Sequence, residues 1–253
     1  MLATELTPLM ILSLSVVAFV AGYISSIAGA GGLITLPILL WFGLPPINAL
    51  ATNKVQSALG TLSSSWNFFR KGYINLTEIR YAIVLAVLGS ICGTLLAQRM
   101  GNELLLRLTP VLLIMIALYF LFSPRVSDKS SVARLSALSF GLFAAFPIGL
   151  YGGFFGPGMG SVLPFLFVFL NGYNLSKATA QTKVLILAIN GVSALLFALH
   201  GDVIWELALY MSVAQIIGAR LGSNRVMSRG TSLVQPLIVC ITLLMALKLL
   251  FFP

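Results

Sequence analysis

The stretch SSIAGAGGLITLPILLWFGLPP, residues 25–46, is nearly all apolar, yet it has three glycines within four positions and closes on two prolines. Glycine and proline are the two residue types that most weaken a helix. A simple membrane-spanning helix has no need of them at this density. The interruptions therefore indicate a break inside an apolar segment, and the composition and the repeats of the chain explain why it is there.

Composition places the chain in a membrane. Its 253 residues are 59% hydrophobic and 8% charged, whereas soluble domains carry about 25% charged residues. So few charges cannot cover the surface of a soluble protein of this length, and a multi-pass membrane protein surrounded by the lipid bilayer is predicted. The net charge of +9 is typical of Lys and Arg in cytoplasmic loops. No basic run with interleaved aromatic residues indicates a nucleic-acid partner.

Apolar runs define the expected helices of an all-α fold. A spanning helix needs about 20 apolar residues. Eight runs meet that length, namely 8–28, 50–69, 79–97, 104–122, 132–151, 178–199, 203–221 and 233–252. Two further runs, 33–44 and 161–170, are too short for an ordinary span and indicate half-helices, re-entrant segments or helices buried in protein.

A polar connector near the midpoint separates two similar halves. AGAGGLITLP (28–37) matches FGPGMGSVLP (155–164), and after a two-residue insertion GLPPINALATNKV (43–55) matches GYNLSKATAQTKV (172–184). A shared order of glycines, prolines and a lysine is difficult to obtain by chance. An internal duplication is therefore predicted, with a first transmembrane repeat at 1–123, a connector at 124–134 and a second repeat at 135–253.

The same alignment places one G-x-x-x-G pair in each half. Gly89 and Gly93 fall on Gly218 and Gly222. Such pairs allow close packing of membrane helices, and this structural role is the preferred interpretation.

The Gly-rich breaks are the candidate binding site. Short, interrupted apolar segments at corresponding places in two halves are typical of the broken helices that form a transporter's site. Backbone amides at a helix N-terminus carry partial positive charge and suit an anion. The alternative is that the glycines only permit close packing. The glycines predicted to begin two half-helices are Gly29, Gly31, Gly32, Gly156, Gly158 and Gly160.

Polar clusters follow both breaks, ATNK at 51–54 and AQTK at 180–183. Their hydroxyl and amide groups can donate hydrogen bonds to an oxyanion. Their lysines either add charge to the site or snorkel at helix ends. Two polar residues further along the same helices can line the same path. The residues in question are Thr52, Asn53, Lys54, Ser57, Gln181, Thr182, Lys183 and Asn190.

Basic loops favour an inverted second half. If both short segments cross the membrane, each half crosses five times, and the basic loops near residues 70–80, 125–134 and 225–229 share one side. If the short segments are re-entrant, there are eight crossings and the halves run parallel. The positive-inside rule favours inversion.

Motifs for catalysis or metal binding are missing from the sequence. It has no P-loop, a single histidine, His200, and six carboxylates that lie in or near connectors. We therefore expect no enzyme activity, no cofactor and no metal. Many amide donors, two lysines and few acids favour an anion over a cation.

The segment AGAGGLITLPILLWFGLPPINALATNK resembles the signature of the TauE/SafE family of sulfite and sulfonate exporters, and YGGFFGPGMGSVLPFLFVFLNGYNLSKATAQTK resembles that family's second repeat. The resemblance covers about the whole chain. It implies an inner-membrane permease with duplicated halves for sulfite, sulfoacetate or related anions. The family's Gly-rich turn falls on Gly29, Gly31 and Gly32, and its A-T-N element on 51–53. Ala30 departs from a fuller glycine run.

Taken together, the sequence features predict a secondary transporter for a small anion, and the resemblance implies sulfite or an organosulfonate such as sulfoacetate as that anion. The alternatives are an anion channel and a membrane subunit of a larger complex. Substrate, direction, coupling ion and oligomeric state, including a homodimer, stay open.

Overall fold

The computed structural model describes residues 6–122 and 132–229, and every regular element in these ranges is a helix. The predicted all-α class is therefore confirmed for this part of the chain. The helices are α1 (Pro8–Ala28), α2 (Gly32–Trp41), α3 (Pro46–Arg70), α4 (Leu76–Arg99), α5 (Asn102–Phe122), α6 (Ala137–Phe154, with a π-helical segment at Gly141–Ala145), α7 (Met159–Asn171), α8 (Leu175–His200) and α9 (Trp205–Arg229).

Local sequence explains where the long helices begin and end. The Thr7 side chain caps α1 by accepting a hydrogen bond from the Met10 amide, and Pro8 occupies a position where no amide is needed. The helix ends at Gly29, whose φ of 70° lies in the left-handed region that glycine adopts without strain. Asn174 caps α8 in the same way, and Gly201, with a φ of 90°, ends it.

The two short apolar runs form the two short helices α2 and α7. They have 10 and 13 residues, or about 15 and 20 Å at 1.5 Å per residue. A hydrocarbon core is about 30 Å thick, so neither helix is long enough for an ordinary span. Each contains a proline, Pro37 or Pro164. The prediction of two short helices is confirmed.

Five of the predicted spans coincide with helices that are long and apolar enough to cross a membrane. They are Pro8–Ala28, Leu76–Arg99, Asn102–Tyr119, Ala137–Phe154 and Leu175–His200. The fourth begins later than the predicted run 132–151, because Ser136 caps it by accepting a hydrogen bond from the Ser139 amide.

The remaining three predicted spans are not confirmed as membrane spans. α3 and α9 are long helices but are not among the apolar spans, because much of their length is polar. The run 233–252 lies outside the described residues. The count of eight spans, the inverted arrangement and the domain boundaries therefore stay predictions.

Both G-x-x-x-G pairs lie at close helix contacts. Gly89 and Gly93 of α4 lie against the backbone of α6, and Gly218 and Gly222 of α9 lie against the backbone of α1. A Cβ at any of the four positions would collide with main-chain atoms of the facing helix. Their predicted role in packing is confirmed. Each contact joins a helix from the first half of the chain to one from the second.

Helix order is the same on both sides of the connector. A long helix, a short helix and two long helices follow each other in α1–α4 and again in α6–α9. This is the order that the predicted duplication requires, although the duplication itself stays a prediction. It places the short helices α2 and α7, and the breaks before them, at corresponding positions.

Candidate functional site

The two Gly-rich breaks touch each other through their backbones. Gly29 follows α1, and Gly160 lies in the first turn of α7. A Cβ at either position would collide with the main chain of the other. Gly156 and Gly158, with φ values of 99° and 87°, form the second turn in the left-handed region. The sequence therefore uses glycine here both for chain direction and for close approach.

A cavity lies beside this contact. Its volume is about 30 Å³, which is room for about two water molecules. It is lined by polar side chains from α3 and α8 and by the glycines of both breaks. The predicted site residues that line it are Gly29, Gly32, Asn53, Lys54, Ser57, Gly156, Gly158, Gly160 and Asn190.

Lys54 is the charged residue of this cavity. Its side chain is 1% exposed, and its Nζ donates hydrogen bonds to the carbonyl oxygens of Gly152 and Phe155, the latter at 3.1 Å. Those carbonyls lie at the C-terminal end of α6, which carries partial negative charge. No carboxylate of the described residues forms an ion pair with Lys54. The lysine is therefore buried rather than snorkelling.

Lys183 makes the corresponding contact from the other half but lies outside the cavity lining. Its Nζ donates a 2.6 Å hydrogen bond to the Ser25 carbonyl, in the last turn of α1. The side chain is 3% exposed. Each lysine thus binds the end of the first helix of the opposite half, yet only Lys54 borders the open space.

Two amide side chains complete the polar wall of the cavity. The Asn53 Oδ1 accepts hydrogen bonds from Thr35 Oγ1 at 2.6 Å and from Gln56 Nε2 at 2.9 Å, so its amide nitrogen is left to donate. Asn190 is 3% exposed, and its side chain makes no hydrogen bond to any residue that the structure describes. A buried amide without a protein partner is costly. Its place on the cavity wall indicates that water or a ligand satisfies it.

Backbone amides add two further donors. Gly32 and Gly160 lie in the first turns of α2 and α7 and both border the cavity. Their amides have no carbonyl partner within residues 6–122 and 132–229. Unpaired amides at a helix start carry partial positive charge, so they can donate to an oxyanion.

Five predicted site residues lie elsewhere. Gly31 packs against Ala21 and Ser25 of α1. Thr52 Oγ1 accepts a 3.3 Å hydrogen bond from the Ile204 amide before α9, and Gln181 Nε2 donates one of 3.3 Å to the Asn75 carbonyl before α4. These two side chains hold loops of the opposite half. The other two residues outside the lining are Thr182 and Lys183.

Sequence reasoning missed five residues of the lining: Ser25, Thr61, Pro157, Met159 and Ile186. Helical spacing was the available signal for two of them. Thr61 lies four residues after Ser57, and Ile186 lies four residues before Asn190, so each shares a helix face with a predicted residue. Ser25 lies one turn before Gly29 on α1.

Comparisons with known proteins identify the family of the chain. The model of the family described as "Sulfite exporter TauE/SafE" matches residues 14–249. The chain is similar to a "Probable membrane transporter protein" of Haemophilus influenzae, at 43% identity over 93% of this chain and 92% of the relative. It is also similar to the "Probable membrane transporter protein YfcA" of Escherichia coli K12, at 42% identity over 97% and 91%.

A third relative is the "Probable membrane transporter protein ORF9" of Sinorhizobium sp, at 39% identity over 95% of this chain and 92% of the relative. No solved structure matches the chain. The apolar helices and these near full-length relatives establish a multi-pass membrane protein. The family match spans nearly the whole chain, and the chain therefore belongs to the TauE/SafE family of membrane transporters.

Proposed function

We propose that the protein is a secondary transporter for a small oxyanion, with sulfite or an organosulfonate such as sulfoacetate as the substrate. The observation that carries this proposal is the buried Lys54, which borders a cavity without a carboxylate partner among the described residues. A buried ammonium without a counter-ion is costly. An anion in the cavity removes that cost.

The donors around Lys54 suit a tetrahedral or pyramidal oxyanion. Asn53 and Asn190 offer amide groups, Ser57 and Thr61 offer hydroxyls, and the first turns of α2 and α7 offer backbone amides. Hydrogen bonds from a charged donor to an anionic oxygen are about twice as strong as neutral ones. Lys54 therefore supplies most of the attraction, and the neutral donors orient the anion.

The comparisons support the same substrate class. The family description names sulfite export, and the similar proteins from Haemophilus influenzae and Escherichia coli are named as membrane transporters. These names favour transport over catalysis. They leave the anion of this chain to be measured.

Access requires movement at the breaks. The present volume of about 30 Å³ holds about two water molecules, which is less than an organosulfonate occupies. Binding therefore requires the break that follows α1 to separate from the first turn of α7 at the Gly29–Gly160 contact. Movement of one helix bundle against the other around a central site is the usual route of alternating access.

Flux into proteoliposomes tests the proposal. We expect saturable uptake of labelled sulfite by the wild-type protein, accelerated by sulfite trapped on the other side. The Lys54→Met variant should lose at least about tenfold in uptake, because about 1.4 kcal/mol of lost anion binding is a factor of ten. Lys71→Met is the matched control, since Lys71 follows α3 outside the cavity and should leave uptake unchanged.

Other outcomes separate the alternatives. Rapid flux that neither saturates nor responds to trapped sulfite would identify an anion channel. No flux from folded, reconstituted protein would favour a membrane subunit that requires other chains. Equal uptake by the Lys54→Met variant and the wild type would contradict the assignment of the site.

A further inference from the structure

We infer that this site selects monovalent anions and discriminates against divalent anions of the same size. The inference rests on the proposed function and narrows its substrate class. Within that class it favours hydrogensulfite over the sulfite dianion, and a sulfonate with a single negative charge over sulfoacetate, which also carries a carboxylate and becomes a weaker substrate of the proposed class.

The cavity wall carries little formal charge. Among the described residues that line it, Lys54 carries the single formal charge. Its counterpart, Lys183, directs its Nζ to the Ser25 carbonyl at 2.6 Å and does not border the cavity. The two lysines align in the sequence, so an equivalent placement would have given two ammonium groups. Among the described residues, one ammonium group, that of Lys54, borders the cavity.

One ammonium compensates one negative charge. A second negative charge in the cavity would meet only neutral donors, because no other cation from the described residues lines it. Hydrogen bonds from neutral amides and hydroxyls offset only part of the desolvation of an ion. The cost falls on the dianion alone, so the site discriminates by charge even when both anions fit.

The neutral groups of the wall also suit an anion that retains a hydroxyl. Ser25, Ser57 and Thr61 have hydroxyls that both donate and accept, and the Asn190 carbonyl oxygen has no donor among the described residues. A dianion without a proton has nothing to donate to these acceptors. A protonated oxyanion or a hydroxyalkylsulfonate satisfies an acceptor and keeps one charge for Lys54.

Competition between two probes of equal length tests the inference. 2-Hydroxyethanesulfonate is a monoanion, and sulfoacetate replaces its CH₂OH group with a second anionic group. In proteoliposomes that take up labelled sulfite at fixed pH and ionic strength, we expect 2-hydroxyethanesulfonate to inhibit at a concentration at least about tenfold lower than sulfoacetate. A tenfold ratio corresponds to about 1.4 kcal/mol.

A pH series provides an independent measurement on the unmodified protein. Sulfite exchanges its proton near neutral pH, whereas 2-hydroxyethanesulfonate keeps one charge throughout. With equal pH on both sides, the KM for total sulfite should rise as pH increases and stay constant when it is expressed as hydrogensulfite. The inhibition constant of 2-hydroxyethanesulfonate should not follow that rise.

A second cation in the cavity should reverse the preference. Ile186 lines the wall from α8, and Ile186→Lys adds an ammonium there. We expect this variant to narrow or invert the ratio between the two probes, while the neutral control Ile186→Met keeps it. The ratio is measured within each variant, so a lower amount of folded protein does not affect it.

The outcomes distinguish the two proposals. Sulfite flux that sulfoacetate inhibits as well as, or better than, 2-hydroxyethanesulfonate overturns the charge selectivity and leaves anion transport in place. A KM for total sulfite that is constant with pH does the same. Absence of sulfite flux from folded, reconstituted protein overturns both.

Discussion

At the residue scale, the candidate site depends on glycines whose backbone conformation or close contacts leave no room for a side chain. Gly29 combines a φ of 70° with a main-chain contact to Gly160. Gly191, in the middle of α8, has open space where a Cβ would lie. Both positions are glycine in the sequence. Only the fold shows that Gly29 has no room for a Cβ and that Gly191 has room for one.

A pair of alanine substitutions tests this distinction. Gly29→Ala should destabilise the protein by at least about 1–3 kcal/mol, because it adds left-handed strain to a collision with the backbone. Gly191→Ala should be neutral or stabilise by about 0.5–1 kcal/mol, since alanine is the better helix former. Thermal unfolding in detergent measures both. Equal stability of the two variants would contradict the described contact between the breaks.

Two buried asparagines provide a contrast between function and stability. The Asn190 side chain has no hydrogen-bond partner among the described residues and faces the cavity. Asn67 donates to Ser223 Oγ at 2.8 Å and to Asn224 Oδ1 at 3.0 Å. The first amide is therefore available to a ligand, and the second holds α3 to α9.

Replacement of each asparagine by leucine should separate these roles. Asn190→Leu removes an amide that no described residue pairs with, so stability should change little while anion uptake falls by about tenfold. Asn67→Leu leaves Ser223 and Asn224 without their donor and should lower stability by about 1–3 kcal/mol. Uptake per folded molecule should then stay unchanged. Loss of stability in Asn190→Leu with normal uptake would assign that residue a structural role.

At the element scale, apolar runs predicted where the described helices lie, but not which of the long helices are apolar enough to cross a membrane. Seven of the eight long runs and both short ones correspond to described helices, because an apolar run is visible without any knowledge of its neighbours. The α3 helix buries Asn53, Gln56 and Ser64 against protein, so its hydropathy is low although it is 25 residues long. Burial against other helices cannot be read from one segment alone.

The packing of α4 on α6 gives a prediction for an element. Gly89 would place a Cβ against the α6 backbone, whereas Cys92 on the same helix is exposed. Gly89→Val should therefore separate the two helices and cost at least about 1–3 kcal/mol through overpacking. Cys92→Val should be neutral within about 0.5 kcal/mol. Unfolding temperature and the fraction of monodisperse protein report the effect, and equal behaviour of both variants would contradict this packing.

At the scale of the whole molecule, contacts between the two halves meet at the cavity and at its surroundings. Lys54 from the first half binds the end of α6, and Lys183 from the second half binds the end of α1. The sequence predicted the breaks and both lysines because the repeat aligned them. It could not predict that only Lys54 borders the cavity, because side-chain direction across the interface depends on how the halves pack.

A further contact between the halves is an ion pair at the starts of two helices. Lys177 Nζ of α8 lies 2.6 Å from Glu78 Oε2 of α4, and Tyr173 donates to the same carboxylate at 3.0 Å. The side chains are 35% and 37% exposed, so the pair contributes no more than about 1 kcal/mol to stability. The pair is useful in another way, because a cross-link between these two residues restricts movement of one half relative to the other.

Cross-linking at that position tests alternating access. In a protein with Cys92 and Cys240 replaced by alanine, the Glu78→Cys/Lys177→Cys pair is joined by a short bismaleimide. We expect sulfite uptake to fall to background, because the halves can no longer move apart. The Glu103→Cys/Arg107→Cys pair on α5 is the control, since these residues face each other within one helix, at 2.6 Å between their charged atoms. Monofunctional maleimide on either pair should leave uptake intact. Normal uptake by the fully cross-linked Glu78–Lys177 pair would show that transport proceeds without movement at this contact, as in a channel.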